Sequence, residues 1–263
     1  MTKIIGCIHL LPLPGSPGYS FNKEEIMKKA LYELEIYKVA GLDGVIIENT
    51  SDIPYLKGFV YPETLSLLSI ICNEIRKTNY NLYLGLQVLA GANIEALAIA
   101  YNAGFDFIRV EGFSFASIAD EGLIQSCAAE LARKRASLRA TKSIKIIADI
   151  KKKHSSHAIT SDLSLTEMAK HTEYMEPDGL VLTGSTTGVA PEIEEVRAVK
   201  NSTKVPIYIG SGITKENALD FAKVADYLIV GSYFKKENYW KNDICKEKVS
   251  DFMDYIKKGT VRR

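Results

Sequence analysis

The sequence predicts an α/β protein, a single (β/α)8 TIM barrel that takes up residues 1–263 as one domain. Three observations carry this expectation. Eight short β-branched runs alternate with eight stretches of helical period. The runs are almost continuously apolar, as in Val45-Ile46-Ile47 and Leu228-Ile229-Val230, which suits parallel strands covered on both faces. The length of 263 residues is the usual size of one such barrel. A doubly wound open sheet is the competing architecture, but no GxGxxG follows the first run.

Taken in order, the predicted strands are residues 3–9, 44–48, 82–88, 105–110, 144–150, 179–183, 206–210 and 227–231. The predicted helices are 23–40, 62–78, 93–103, 121–140, 164–175, 191–199, 215–224 and 246–257. Asn22 stands three residues before Glu25, the spacing of a capping box at the first helix. Gly41 and Gly104 close the first and third helices as glycines in the left-handed position just past a helix end. Thr214 precedes Asn217 at the seventh helix with the same capping spacing. No linker, repeat or low-complexity tract divides the chain.

Composition narrows the function classes. Lys+Arg number 33 against Asp+Glu 32. Such a balance argues against a nucleic-acid or membrane-surface partner, because both select a basic excess. Cys7, Cys72, Cys127 and Cys245 are far apart with no CxxC pair, as expected of free thiols in a reducing compartment. The apolar stretch from residue 4 to 13 is broken by His9 and Pro12, so it does not read as a secretory signal. No apolar run approaches the ~18 residues of a membrane span. The expectation is a cytoplasmic protein without membrane insertion.

In a barrel, chemistry gathers on the loops that follow the strands. The candidate residues are therefore those that end each strand. They are His9, Glu48, Gln87, Arg109 with Glu111, Asp149 followed by Lys151-Lys152-Lys153-His154 and His157, the run from Thr183-Gly184 through Ser185 and Thr187 to Gly188, Gly210-Ser211-Gly212, and Gly231-Ser232. Gly184, Gly210, Ser211, Gly212, Gly231 and Ser232 are expected to bind a phosphate. Glycines at strand ends let backbone N–H groups converge on an anion, and the loops after strands seven and eight are the favoured place in barrels. The N-terminus of the helix after Thr214 would add its dipole.

Glu48, Arg109, Asp149, Lys153 and His154 are the catalytic candidates. Carboxylates in a barrel mouth suit proton transfer, and a desolvated lysine suits stabilising an enolate or forming a Schiff base. The same mouth offers a divalent-metal set, His9, Glu48, Asp149 and His154, of a composition that suits Zn²⁺ or Mn²⁺. Tyr32 and Tyr37 fall at helical spacing and suggest packing. Trp240, beside Tyr239, is placed to cap the barrel or to form an oligomer contact.

These strand ends, together with the run Gly6-Cys7-Ile8-His9-Leu10-Leu11-Pro12-Leu13-Pro14-Gly15-Ser16-Pro17, resemble the BtpA family, also called BtpA/SgcQ. Further matching pieces are Asp43 to Asn49, Leu84 to Leu89, Phe107 to Gly112, Ala148 to His157 and Gly210-Ser211-Gly212. The resemblance spans nearly the whole chain and implies a ribulose-phosphate-binding type of barrel. The family takes its name from a cyanobacterial factor needed for stable photosystem I, and its bacterial members resemble parts of sugar-utilisation systems. Many bacterial members carry an Asn-Asp pair after strand three, where this chain reads Leu89-Ala90-Gly91-Ala92-Asn93. The Lys-Lys-His-Ser-Ser-His run is similar to the eukaryotic-type branch.

The functional expectation is an enzyme for a phosphorylated sugar or related metabolite, an isomerase, epimerase or lyase. The alternatives are a metal-dependent hydrolase built on the His/carboxylate set, and a non-enzymatic assembly or stability factor. Barrels of this type often pair, so a homo-oligomer is a further expectation.

Overall fold

In the computed structural model, which describes residues 2–79, 81–184, 186 and 188–261, the eight strand–helix units close on themselves. The barrel strands are β1 Lys3–His9, β2 Gly44–Glu48, β3 Tyr83–Gln87, β4 Phe107–Val110, β5 Lys145–Ile150, β6 Gly179–Leu182, β7 Ile207–Ile209 and β8 Tyr227–Val230. All pair in parallel with their chain neighbours, and β8 returns to β1 with Lys3 opposite Tyr227 and Gly6 opposite Val230. The helices between them are α1 Lys23–Ala40, α2 Pro62–Thr78, α3 Asn93–Ala103, α4 Ala128–Ser137, α5 Leu165–Tyr174, α6 Ile193–Ser202, α7 Lys215–Phe221 and α8 Lys246–Val261. The predicted strands and seven of the helices lie within three or four residues of these bounds. The first three helices match end for end.

The cap signals hold as well. The Glu25 amide donates to Asn22 Oδ1 at 3.0 Å, while Gly41 (φ 80°) closes α1 in the left-handed region. At α7 the Thr214 amide donates to Asn217 Oδ1 at 2.9 Å.

The expected helix over 121–140 is corrected. Its first third is instead a hairpin of Ala116–Ala119 and Gly122–Gln125, extended by Ser155–Ser156 into a small antiparallel sheet at the barrel mouth. Gly122 sits at φ 103°, a conformation that no helix start accepts. Residues 116–119 pair with this backbone on one edge and with the loop after β5 on the other, so tertiary context decides the outcome. The chain turns helical only at α4.

Period-two alternation puts one set of side chains inside the barrel. Ile5, Cys7, Ile46, Phe107, Ile147, Val181, Tyr208 and Ile229 form that inner core, with Tyr83 and Tyr227 packed beneath. Tyr208 and Tyr227 stack at 4.1 Å, and Tyr83 stacks on Phe107 at 4.7 Å. The Phe107 ring occupies the space a Cβ at position 85 would need, so glycine there is a packing requirement. The second, larger core lies between strands and helices. With the N-terminal half of the barrel plugged by aromatics, inward-facing polar residues collect at the C-terminal ends of the strands.

Candidate active site

One cavity of about 570 Å³ opens at those C-terminal ends. Its floor is laid by strand alternation: Cys7 and His9 from β1, Glu48 from β2, Gln87 from β3, and Arg109 from β4 with Glu111 just past that strand's end. The loop after β5 adds Lys152, Lys153 and His154, and the hairpin turn adds Asp120 and Glu121. The far wall is the β7 loop, Gly210 to Thr214, and the β8 loop, Gly231 to Tyr233. Trp240 lines one side.

Arg109 organises the floor. Its Nε donates to Asp149 Oδ2 at 3.0 Å and its Nη2 to Oδ1 at 2.9 Å, a two-point contact with a carboxylate whose side chain has no exposed surface. Its Nη1 lies 3.6 Å from Glu48 Oε1. Burial opposes the guanidinium charge, but Asp149 and Glu48 together hold it firmly protonated. Asp149 therefore lies under Arg109, outside the cavity lining, and serves as the counter-ion of that arginine.

The three lysines after β5 separate. Lys151 is exposed, at φ 49°. Lys152 pairs with Glu111 Oε2 at 2.6 Å, and Gln87 Nε2 donates to the other oxygen at 2.6 Å. Burial raises the Glu111 pKa, against the pull of Lys152. Lys153 turns inward. Among the described residues its ammonium forms no ion pair, while burial and then the nearby Arg109 push its pKa down from the ordinary lysine value. His154 sits on the exposed rim of the cavity, and His157 is held by the Lys152 carbonyl at 2.9 Å.

His9 Nδ1 lies 3.1 Å from the Trp240 carbonyl oxygen. A carbonyl can only accept, so Nδ1 carries the proton and Nε2 keeps its lone pair. Burial lowers the His9 pKa to about 4, which leaves the ring neutral at pH 7. Nε2 faces Glu48 Oε2 at 3.9 Å. Burial, and then the Glu48 charge, raise the Cys7 thiol pKa well above its ordinary value.

Among the described residues, the side chains of metal-ligating type that converge are Cys7, His9 and Glu48. The expected quartet of His9, Glu48, Asp149 and His154 is thus not assembled: Asp149 is spent on Arg109 and His154 lies at the rim. Cys7 takes their place. Sequence reasoning passed over it, although Cys7 and His9 stand two apart on one strand and so share a face.

The glycines of the far wall have structural reasons of their own. A Cβ at Gly212 (φ 71°) would collide with the Val189–Ala190 backbone, and one at Gly184 with the carbonyls of the same two residues. The loops after β6 and β7 thus touch backbone to backbone. The Ser211 hydroxyl joins them, donating to the Val189 carbonyl at 2.7 Å and accepting from the Gly184 amide at 3.1 Å. At Gly210 a Cβ would stand 3.0 Å from Arg109 Nη2. Gly184 does not line the cavity, and Ser185 and Thr187 lie outside the described residues. The amides of Gly212 and Ile213 have no acceptor among the described residues and belong to the lining. At seven residues, α7 is too short for its dipole to add much.

Comparison with known proteins agrees with this architecture. The family model described as "BtpA family" matches residues 1–258. An uncharacterized mitochondrial protein of Caenorhabditis elegans is 44% identical over 264 residues, covering 99% of this chain and 94% of its own. The photosystem I biogenesis protein BtpA of Synechocystis is 33% identical over 260 residues, 97% of this chain and 88% of that one. Among solved structures, the (S)-3-O-geranylgeranylglyceryl phosphate synthase of Thermoplasma acidophilum, in complex with sn-glycerol-1-phosphate, superposes with a TM-score of 0.60. That alignment covers 98% of this chain and 94% of the synthase at 15% identity, a likeness of fold alone.

Proposed function

The chain belongs to the BtpA family, and we propose that it is an enzyme that transfers protons on a phosphorylated sugar or related metabolite held in the barrel mouth. An isomerase, an epimerase and a lyase share this chemistry. The observation that carries the reading is Lys153: an amine buried beside Arg109, Glu48 and Asp149, without an ion pair among the described residues, facing a 570 Å³ cavity. A lysine with a lowered pKa has a larger neutral fraction at pH 7, and a neutral amine accepts a proton from a carbon next to a carbonyl. Once protonated, it stabilises the negative charge left on the substrate.

The phosphate is assigned to the opposite wall. Gly212 and Ile213, whose amides have no acceptor among the described residues, and the Gly231-Ser232 turn line the same cavity from the β7 and β8 loops, where barrels commonly bind phosphate. The glycerol-phosphate complex of the structural neighbour supports the same class of ligand. Arg109, fixed by Asp149, stands 3.6 Å from Glu48 and orients that carboxylate in the same cavity.

The test is hydrogen–deuterium exchange at carbon in a panel of sugar phosphates, with Lys153→Met as the control. Wild type should label at least one member, and Lys153→Met should label it about 10²–10⁴-fold more slowly, the usual weight of a general base. The reading fails if no member exchanges, or if the methionine variant exchanges as fast.

A further inference from the structure

We propose that Cys7, His9 and Glu48 form a site for one divalent transition metal of the zinc type, with a fourth coordination position open to the cavity. The donor atoms of the three residues all lie within 4.8 Å of one another. Strand register produces this: Cys7 and His9 are i and i+2 on β1, and His9 stands directly opposite Glu48 on β2. The separation of 3.9 Å between His9 Nε2 and Glu48 Oε2 is too long for a hydrogen bond. It is close to the ligand–ligand edge of about 3.4 Å that bonds of 2.0–2.2 Å make around tetrahedral zinc. Cysteine, histidine and carboxylate are each zinc ligands, and three protein ligands with an open fourth place is the pattern of a catalytic metal.

The surroundings fit the same purpose. The Trp240 carbonyl fixes the His9 ring by Nδ1 and leaves Nε2 as the donor, the outer-sphere arrangement that metal-ligating histidines share. Arg109 Nη1 stands nearest Glu48 Oε1, so Oε2 is turned toward His9. A Cβ at Gly231 would sit 3.3 Å from His9 Nε2, so this glycine keeps open the space beside that donor. Arg109 is matched by Asp149, Lys152 by Glu111 and Lys235 by Glu33, which leaves Glu48 and a Cys7 thiolate as the anionic ligands facing a 2+ ion. On binding, the Cys7 thiol loses its proton to solvent and its sulfur forms the bond to the metal. At the open position the ion would polarise a substrate carbonyl or a water, complementing Lys153.

The site is independent of which substrate the barrel takes, and so is its test. Full-length protein, stripped of metal by a chelator and desalted, is titrated with Zn²⁺ and, separately, with Co²⁺ while absorbance is followed. We expect one equivalent of either ion, a thiolate-to-cobalt charge-transfer band in the near ultraviolet, and release of a proton. Cys7→Ser should lose the band, and His9→Asn and Glu48→Gln should bind Co²⁺ about 100-fold more weakly, at or beyond the effect of outer-sphere changes. Gly231→Ala keeps all three ligands and should weaken binding by filling the space beside His9 Nε2. Circular dichroism of each metal-free variant checks that the barrel is intact, and where one fails to fold the wild-type band and stoichiometry decide. No band and no stoichiometric metal in wild type would overturn the proposal. So would undiminished binding in a folded Cys7→Ser. Carbon exchange with no metal bound would remove this site and leave the proton-transfer reading standing.

Discussion

Glu33 on α1 and Lys235 in the loop after β8 make a buried ion pair, with both side chains 1% exposed and Nζ 2.6 Å from each carboxylate oxygen. Burial raises the Glu33 pKa in spite of the adjacent ammonium, so desolvation outweighs the attraction it receives. The pair as a whole is thus expected to add little net stability, whereas removing one partner strands the other charge in the core. Glu33→Gln or Lys235→Met should each cost about 3–5 kcal/mol, while the double change Glu33→Leu with Lys235→Met should return to within about 2 kcal/mol of wild type. For a chain of this size a loss of that order lowers the melting temperature by roughly 6–20 °C. Urea unfolding followed by circular dichroism measures the three values. Single variants that cost under about 1 kcal/mol would refute the reasoning, because a truly desolvated lone charge cannot be that cheap. The stake is functional as well: the same loop carries Trp240, whose carbonyl orients His9.

Asp149→Asn leaves Arg109 without its two-point partner and should cost about 3–5 kcal/mol in urea unfolding; a loss of activity at full stability would return Asp149 to a chemical role. His9, with its pKa lowered to about 4 in the fold, stays neutral while the unfolded chain takes up its proton near 6.5. Stability is therefore fully present above pH 6.5 and falls as pH drops toward 4, by about 3 kcal/mol from this residue; His9→Asn should flatten that part of the pH–stability curve, and an unchanged curve would contradict the burial of the ring. Gly212→Ala would force a side chain into the Val189–Ala190 backbone at a positive φ. It should destabilise the protein by about 1–3 kcal/mol and weaken phosphate-ester binding in a thermal-shift titration. Wild-type behaviour in both would mean the β6 and β7 loops do not meet as described.

Much of this molecule is legible in its amino acids. Apolar runs such as Val45-Ile46-Ile47 suit strands buried on both faces, and eight of them separated by helical stretches point to a closed barrel. Asn22, Gly41 and Gly104 mark helix ends because their roles depend on local backbone geometry alone. Strand ends likewise name His9, Glu48 and Arg109 as lining the mouth, since alternation fixes which side chains face inward. The rest depended on partners far away along the chain. Asp149 reads as a catalytic acid of the barrel mouth until Arg109, forty residues earlier, is found clasping it. Residues 121–125 read as the start of a helix until residues 116–119, themselves paired on their other edge with Ser155–Ser156, supply a strand partner. The glycines at 184 and 212 look like an anion cup, yet close contact between two loops demands them first. Local geometry is encoded within a few residues and survives in sequence. Which charge meets which, and which of three lysines turns inward, is set by packing between segments that only the closed barrel brings together.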